Sequence, residues 1–309
     1  MSLTYKDTFY NHFEKKTFDI PPHYSHRENF LMRYKASFTN YDFLENCLTV
    51  IFFNNGNGAF YNKEKVLKAK DNSFLILNPN EGWEFINEQL KYIDVLSFGI
   101  SNQLSNDCFY YLKSHDKTML DNPFNSSKQS VIFLEKTLKN DYYNTGKLLK
   151  AIYNTSNTNN YPLLCPEELT FEVLKSISKE QALGNKIIKT IDAKKLSTKQ
   201  ETLKRLLVAY EYIHDNIYSD IKMDQLSNVS SLSKFHLYDS FKNAFGKTPH
   251  QYINRLKLKK AKQLLQTREI SITEVSTTLG FSDSSSFSKI FKKAYGKAPS
   301  NFLKTSSTR

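Results

Sequence analysis

The spacing of apolar positions changes character along this chain. Over residues 29–98 it has a period of two: Phe30, Met32, Tyr34, Ala36 and Phe38 alternate with Leu31, Arg33, Lys35 and Ser37, as in a strand with distinct faces. Short β-rich runs follow at 48–53, 66–69, 73–77, 83–86 and 92–98. Asn-Gly-Asn-Gly at 55–58, Asp71-Asn72 and Asn-Pro-Asn-Glu-Gly at 78–82 separate them as turns. Strands this short and this closely spaced predict a β-sandwich or small barrel, whose mouth has room for one small ligand.

Residues 101–129 read as polar and irregular, after which the period becomes helical. Val131, Leu134, Leu138, Tyr142, Thr145, Leu149 and Ile152 fall on one face, and a polar stretch at 154–160 interrupts the chain before Pro162 and Pro166. A second helical region covers 167–191. A third shows Leu203, Leu206, Tyr210, Ile213 and Ile217 at alternating steps of three and four, the spacing of packed helices. That stripe serves either a helical layer buried against the same chain or a dimer seam.

The C-terminal region contains a repeat. Phe241-Lys-Asn-Ala-Phe-Gly-Lys-Thr-Pro249 recurs as Phe291-Lys-Lys-Ala-Tyr-Gly-Lys-Ala-Pro299, and Met223, Leu226 and Ser227 correspond to Ile272, Val275 and Ser276. Each copy reads as a short helix, a tight turn at 230–233 or 280–283, and a second helix. The second helices carry the apolar stripes Leu237, Phe241, Phe245 and Phe287, Phe291, Tyr295, and Gly246 or Gly296 closes each one. This is the order of elements in a helix-turn-helix. Between the copies, 249–267 reads as one helix with Ile253, Leu256, Ala261, Leu264 and Leu265 on a face and Arg255, Lys257, Lys259, Lys260 and Lys262 elsewhere. Such a helix would hold two recognition helices at a fixed separation, ready for successive major grooves about 34 Å apart. A Phe/Leu stripe by itself is ordinary core; its duplication carries the functional reading.

Charge sharpens the picture. Residues 221–309 hold 16 Lys and Arg against 5 Asp and Glu, whereas 1–220 hold 27 against 26, so nearly all of the net +12 lies beside the repeat. A polyanion-binding module attached to an electrically balanced part follows. The 9 glycines contain no GxGxxG or GxxxxGK[ST] phosphate loop, which opposes dinucleotide and P-loop chemistry. Cys47, Cys108 and Cys165 are odd in number and far apart, an arrangement that suits a reducing cytoplasm rather than a disulfide framework or a CxxC zinc site. With no apolar run of spanning length and no apolar leader at the start, a soluble protein with no membrane association is expected.

The stretches GFSDSSSFSKIFKKAYGKAPSNF and LSKFHLYDSFKNAFGKTPHQYINRLKLKKAKQLL resemble the DNA-binding domain of the AraC/XylS family of bacterial transcription regulators, over residues 221–304. The resemblance implies an all-helical domain on double-stranded DNA, a direct-repeat or asymmetric promoter site, and frequently activation through contact with RNA polymerase. The β-rich region resembles, more weakly, the cupin-like sensor of many members, and helices following that sensor often dimerise in the family. The resulting expectation is an α+β chain: a cupin-like sensor at 1–125, a helical linker and dimerisation region at 126–200, and a double helix-turn-helix domain at 201–309. It describes a homodimeric regulator, an activator, controlled by a small effector.

A helix in a groove presents positions i, i+3 and i+4 to base edges. Phe235, Tyr238 and Asp239, with His236 beside them, form that face in the first unit; Ser285, Ser288 and Lys289, with Ser284 and Ser286 near the helix start, form it in the second. These also match the family's base-reading positions. Lys234, Lys242, Lys292 and Lys293 flank the faces, where each serves either as a phosphate contact or as a solvated charge. Only six of the 43 basic residues are Arg, and neither unit contains one. The bidentate Arg fork on guanine is therefore absent from both recognition helices. Asp239 departs from the family, which usually places a basic or amide residue there; it either reads cytosine N4 or repels the backbone.

The histidines, at 12, 23, 26, 115, 214, 236 and 250, leave none between 27 and 114 where the strands lie. Glu84 stands near where the resemblance would place a ligand histidine. No metal, cofactor or catalytic residue is expected, and His23 and His26 read as a surface pair. Candidates for effector binding are Arg33, Tyr34, Tyr61, Trp83 and Glu84. Two other readings compete: a cupin-type enzyme fused to a DNA-binding tail, which the histidine pattern opposes, and a nucleoid or RNA-binding protein without sequence preference.

Overall fold

Side chains alternate between two hydrophobic layers along β2 (Asn29–Ala36): Phe30 and Met32 enter one, Leu31 the other. This period-two partition organises the N-terminal part of the protein. The computed structural model describes residues 9–18, 29–36, 40–43, 47–63, 65–79, 81–87, 92–113, 132–156, 165–267 and 270–303. The chain divides into two units, 1–183 and 184–309.

In the first unit β1 (Phe9–Phe18), β2, β4 (Leu48–Asn55), β7 (Ser73–Leu77), β9 (Ile93–Ile100) and β10 (Leu138–Lys139) form a six-stranded sheet in the order β1-β2-β9-β4-β7-β10. A second sheet has the order β3-β8-β5-β6, made by β3 (Asn40–Phe43), β8 (Trp83–Ile86), β5 (Gly58–Asn62) and β6 (Lys65–Ala69). The β1–β2 pair is parallel and the other described pairs are antiparallel. One face of the large sheet meets the small one through Phe30, Ile51, Phe53, Leu75 and Val95 on one side and Phe60, Trp83 and Phe85 on the other. Its opposite face, with Leu31, Val50, Phe52, Leu96 and Phe98, is covered by α1 (Asn102–Lys113), α2 (Asn144–Thr155) and the first part of α3 (Pro166–Thr190). Strands covered on both faces lose polar alternation, which explains why β7 and β9 are buried along their whole length.

Two expectations from sequence are corrected. The stretch read as irregular contains α1, whose Leu104, Cys108, Phe109 and Leu112 follow a helical spacing and pack on the sheet; burial holds the Cys108 thiol up at about 11. The helix read from Val131 begins only at Asn144. Before it, Phe133 and Asn78 exchange hydrogen bonds of 2.8 and 3.0 Å, β10 pairs with β7, and a 3-10 turn spans Asn140–Tyr142. The free edge of β7 captures this backbone, and a local propensity cannot compete with that pairing. Gly146 permits the fold-back, since a Cβ there would lie 2.4 Å from Asn140 backbone atoms.

The second unit contains the end of α3, then α4 (Leu196–Asp215), α5 (Met223–Ser230), α6 (Lys234–Phe245), α7 (Pro249–Thr267), α8 (Ile272–Thr278), α9 (Ser284–Tyr295) and a 3-10 turn at Pro299–Phe302. Leu203, Leu206, Ile213 and Ile217 are buried, as are Leu226, Leu237, Phe241 and Ile253. The stripe left open between core and dimer seam is therefore core of its own unit. Among the described residues no helix is long and apolar enough to cross a membrane.

A buried polar bridge ties α2 to the six-stranded sheet. Arg33 Nη2 donates to the Tyr153 hydroxyl at 3.0 Å, and that hydroxyl donates to Asp94 Oδ2 at 2.6 Å. Arg33 Nη1 reaches the Ser156 hydroxyl at 3.2 Å. Tyr153→Phe keeps the ring and leaves both buried ionic groups short of a partner. It is expected to cost about 1–3 kcal/mol, measured as a lowered urea midpoint at unchanged slope; a wild-type midpoint would refute the role of this bridge.

Candidate nucleic-acid interface

Short polar side chains set where each helix starts. Ser233 Oγ accepts the His236 amide at 3.2 Å and begins α6; Asp283 Oδ1 accepts the Ser286 amide at 2.7 Å and begins α9. Ser271 and Glu274 cap α8 reciprocally, at 2.8 and 3.1 Å. Both long helices end on a glycine in the left-handed region, Gly246 at φ 69° and Gly296 at φ 72°, as helix caps of this kind require. Two short-helix, turn, long-helix units result, α5–α6 and α8–α9.

Burial fixes how each long helix is turned. Leu237 and Phe241 of α6, and Phe287 and Phe291 of α9, are fully buried. The opposite side of α6 then carries Phe235, Tyr238, Asp239 and Lys242, all exposed; on α9 the equivalent side carries Ser285, Lys289 and Lys292, exposed, with Ser288 half-buried. Phe235 is 85% exposed, so it adds nothing to the core and presents its ring to solvent. Ser284 is half-buried at the start of α9, and Lys293 is exposed beside the face. His236 is exposed away from Phe235 and Tyr238, lining a cleft of about 480 Å³ with Arg205, Glu201 and Ser233.

The two faces differ electrostatically. Lys234 forms an ion pair with Asp224 of α5, and the Asp239 carboxylate accepts from Asn243 Nδ2 at 3.1 Å along its own helix. The α9 face presents Lys289, Lys292 and Lys293 without a carboxylate among them. Arg205, which the sequence pattern did not single out, donates from Nε to Glu201 at 3.0 Å and from Nη1 to the Ser231 carbonyl at 2.9 Å. It grips the turn of the first unit from α4.

Lys257 is a further departure from the sequence reading, which set it off the apolar face of the linker helix. It is 4% exposed. Its ammonium donates to the Ser219 carbonyl at 2.9 Å and to the Gly280 carbonyl at 3.2 Å. Desolvation holds its pKa below the usual lysine range, against the favourable charge of Asp220.

The effector candidates do not come together. Arg33 faces α2, the buried Trp83 lies between the sheets, and Tyr61 and Glu84 stand opposite each other on β5 and β8, half-buried; the Tyr34 side chain lies outside the described part. His23, His26 and His115 also lie outside the described residues, among which no group of three or more His, Cys, Asp or Glu is placed to hold a metal.

Residues 226–305 match a family described as a helix-turn-helix domain. The chain is similar to the "Probable transcriptional regulator LumQ" of Photobacterium leiognathi, 35% identical over 122 residues that make up 40% of this chain and 47% of that protein. It is also similar to the "HTH-type transcriptional activator RhaS" of Escherichia coli K12, 26% identical over 153 residues, 50% of this chain and 51% of that one. The matches thus span about half the length of these relatives. A solved AraC-type regulator from Chromobacterium violaceum is 28% identical, with 32% of this chain and 88% of that chain covered at a TM-score of 0.31.

The caps carry a pH dependence. The Ser286 amide and then its hydroxyl hold the Asp283 carboxyl below its usual range, and the Ser271 hydroxyl and then its amide do the same for Glu274. A carboxyl depressed in the folded state contributes stability that is complete above its unfolded pKa and is lost as pH falls through the folded one. Asp283→Asn keeps a capping oxygen that does not titrate. Its melting temperature is expected to fall less steeply than that of wild type between about pH 5 and pH 2; parallel curves would argue against the cap as the titrating element.

Proposed function

We propose that this chain, whose residues 226–305 carry an AraC-type helix-turn-helix domain, is a sequence-specific transcription regulator that lays α6 and α9 in successive major grooves of double-stranded DNA, about 34 Å apart. The observation that carries the reading is the paired exposure of equivalent helix faces, 235/238/239/242 and 285/288/289/292, in a repeated unit that holds most of the excess positive charge. Phe235 and Tyr238 offer apolar surface to thymine methyl groups, while Ser285, Ser288 and Lys289 offer donors to base edges, with His236 and Ser284 at the margins. Lys242, Lys292 and Lys293 meet phosphates, and Lys234 does so on exchanging its Asp224 partner for one.

The same reading includes activation through contact with RNA polymerase, favoured by similarity to a protein named as an activator, and assembly as a homodimer in the cytoplasm. Control by a small effector in the first unit is supported by the buried Trp83 Nε1, which has no hydrogen-bond partner among the described residues and would gain from an acceptor on a ligand.

Selection of bound fragments from the native genome, followed by footprinting, tests the proposal. A discrete protected site of about two helical turns per protomer is expected; uniform coverage would overturn sequence-specific regulation in favour of packaging. On the selected operator, Phe235→Ala is expected to lose about 1–3 kcal/mol of binding, concentrated at one base pair, while changing folding stability by no more than about 0.5 kcal/mol. Equal losses on operator and scrambled duplex would contradict the reading role.

Asp239→Ala separates two roles by sign. The carboxylate is exposed and held along its own helix by Asn243, so its removal is expected to relieve repulsion from phosphates and tighten binding to operator and scrambled DNA alike at one salt concentration. Weaker binding confined to the operator would assign it to cytosine instead.

A further inference from the structure

We propose that Lys257 is the positioning residue that sets the spacing between the two recognition helices, and hence the half-site spacing the protein accepts; this rests on the reading of α6 and α9 as DNA-binding helices. Its helix, α7, belongs to two cores. Near its start, Tyr252 packs against Phe241 and Phe245 of α6 at ring separations of 5.5 and 6.2 Å. Farther along, Leu258, Ala261 and Leu265 join Val275, Leu279, Phe287 and Phe291 of the second unit. Lys257 lies where one core gives way to the other.

The carbonyls it holds come from opposite sides of that boundary. Ser219 lies in the segment leading into α5, and Gly280 lies in the turn between α8 and α9. The two backbones are in direct contact: Gly280 has φ +62°, and a Cβ on it would lie 3.0 Å from the Ser219 carbonyl carbon. The Phe281 ring lies beside the ammonium, its centroid 5.5 Å away. An apolar side chain would fill this volume at a smaller desolvation cost. Two hydrogen bonds from one nitrogen, however, keep both carbonyls within reach of the same point, a restraint on the offset between the units that apolar packing alone leaves freer to slip.

Spacing matters because DNA is helical. One added base pair moves a half-site by about 3.4 Å and turns it by about 35°. A stiff connection gives the second unit a high effective concentration at the matching spacing and a low one elsewhere, while a loose connection levels the two.

The test uses the full chain on three duplexes: the selected operator, and the same sequence with one base pair inserted or removed between the half-sites. Wild type is expected to bind the altered duplexes about tenfold or more weakly. Lys257→Met is expected to bind the native spacing about tenfold more weakly, with less than about a threefold difference across the three duplexes. Lys257→Arg, which retains donors for both carbonyls, is expected to restore the spacing dependence. A Met variant that is weaker everywhere but keeps the wild-type dependence would reduce Lys257 to a fold-stabilising residue and overturn the proposal. Should circular dichroism show Lys257→Met unfolded, Gly280→Ala, which strains the same contact, must flatten the dependence, and its failure to do so is equally decisive. Wild-type protein that shows no discrete operator would instead remove the DNA-reading assignment itself, and this proposal with it.

Discussion

The rotational setting of two helices governs what this protein can present to a partner. An amphipathic helix in water has one arrangement that hides its large apolar side chains, and in α6 and α9 these are Leu237 with Phe241 and Phe287 with Phe291. Full burial of each such side chain is favourable by about 1.5–3 kcal/mol, far more than any exposed residue contributes, so the core decides and the outer face follows. The exposed sets on the two helices are consequences of that choice. Lys257 extends the constraint from rotation within each unit to the relation between units, because both carbonyls it holds must stay within reach of one nitrogen.

The two outer faces are chemically unequal despite the repeat that produced them. The first combines an exposed aromatic pair with a carboxylate, and its Lys234 is engaged by Asp224. The second presents hydroxyls and lysines. Lysine is a compact charge without the planar fork of arginine, so it suits phosphate attraction better than discrimination among bases. Aromatic surface discriminates through shape and methyl contact and adds no long-range attraction.

The N-terminal unit, residues 1–183, follows a different logic. Its large sheet is apolar on both faces, with the small sheet on one side and helices on the other. Phe53, Phe60 and Phe85 fill the space between sheets, at ring separations of 4.8–6.3 Å. The bridge from Arg33 through Tyr153 to Asp94 sits on the helix side, where it holds α2 in place. Polar residues that share a sequence neighbourhood are therefore distributed among separate environments by strand alternation and sheet order.

Much of this was legible in the residues themselves. A period of two gave β2, because a strand puts alternate side chains on opposite faces, and short β-rich runs between turn residues gave β4 and β6 to β9 but not β5; a period near 3.6 gave α4, α6, α7 and α9; and the duplicated Phe-Lys-x-Ala-aromatic-Gly-Lys-x-Pro stretch marked both units and their glycine caps. These features are local, set by backbone geometry within a few residues. Their phase also fixed which residues of α6 and α9 face outward. Contacts between distant segments were not legible. The pairing of β10 with β7 overrode a helical pattern, a buried α1 lay inside a polar-looking stretch, and Lys257 turned inward because carbonyls 38 residues before it and 23 after it converge there. Periodicity reports only whether a position faces a core; which groups from elsewhere in the chain meet it there is decided by the tertiary structure.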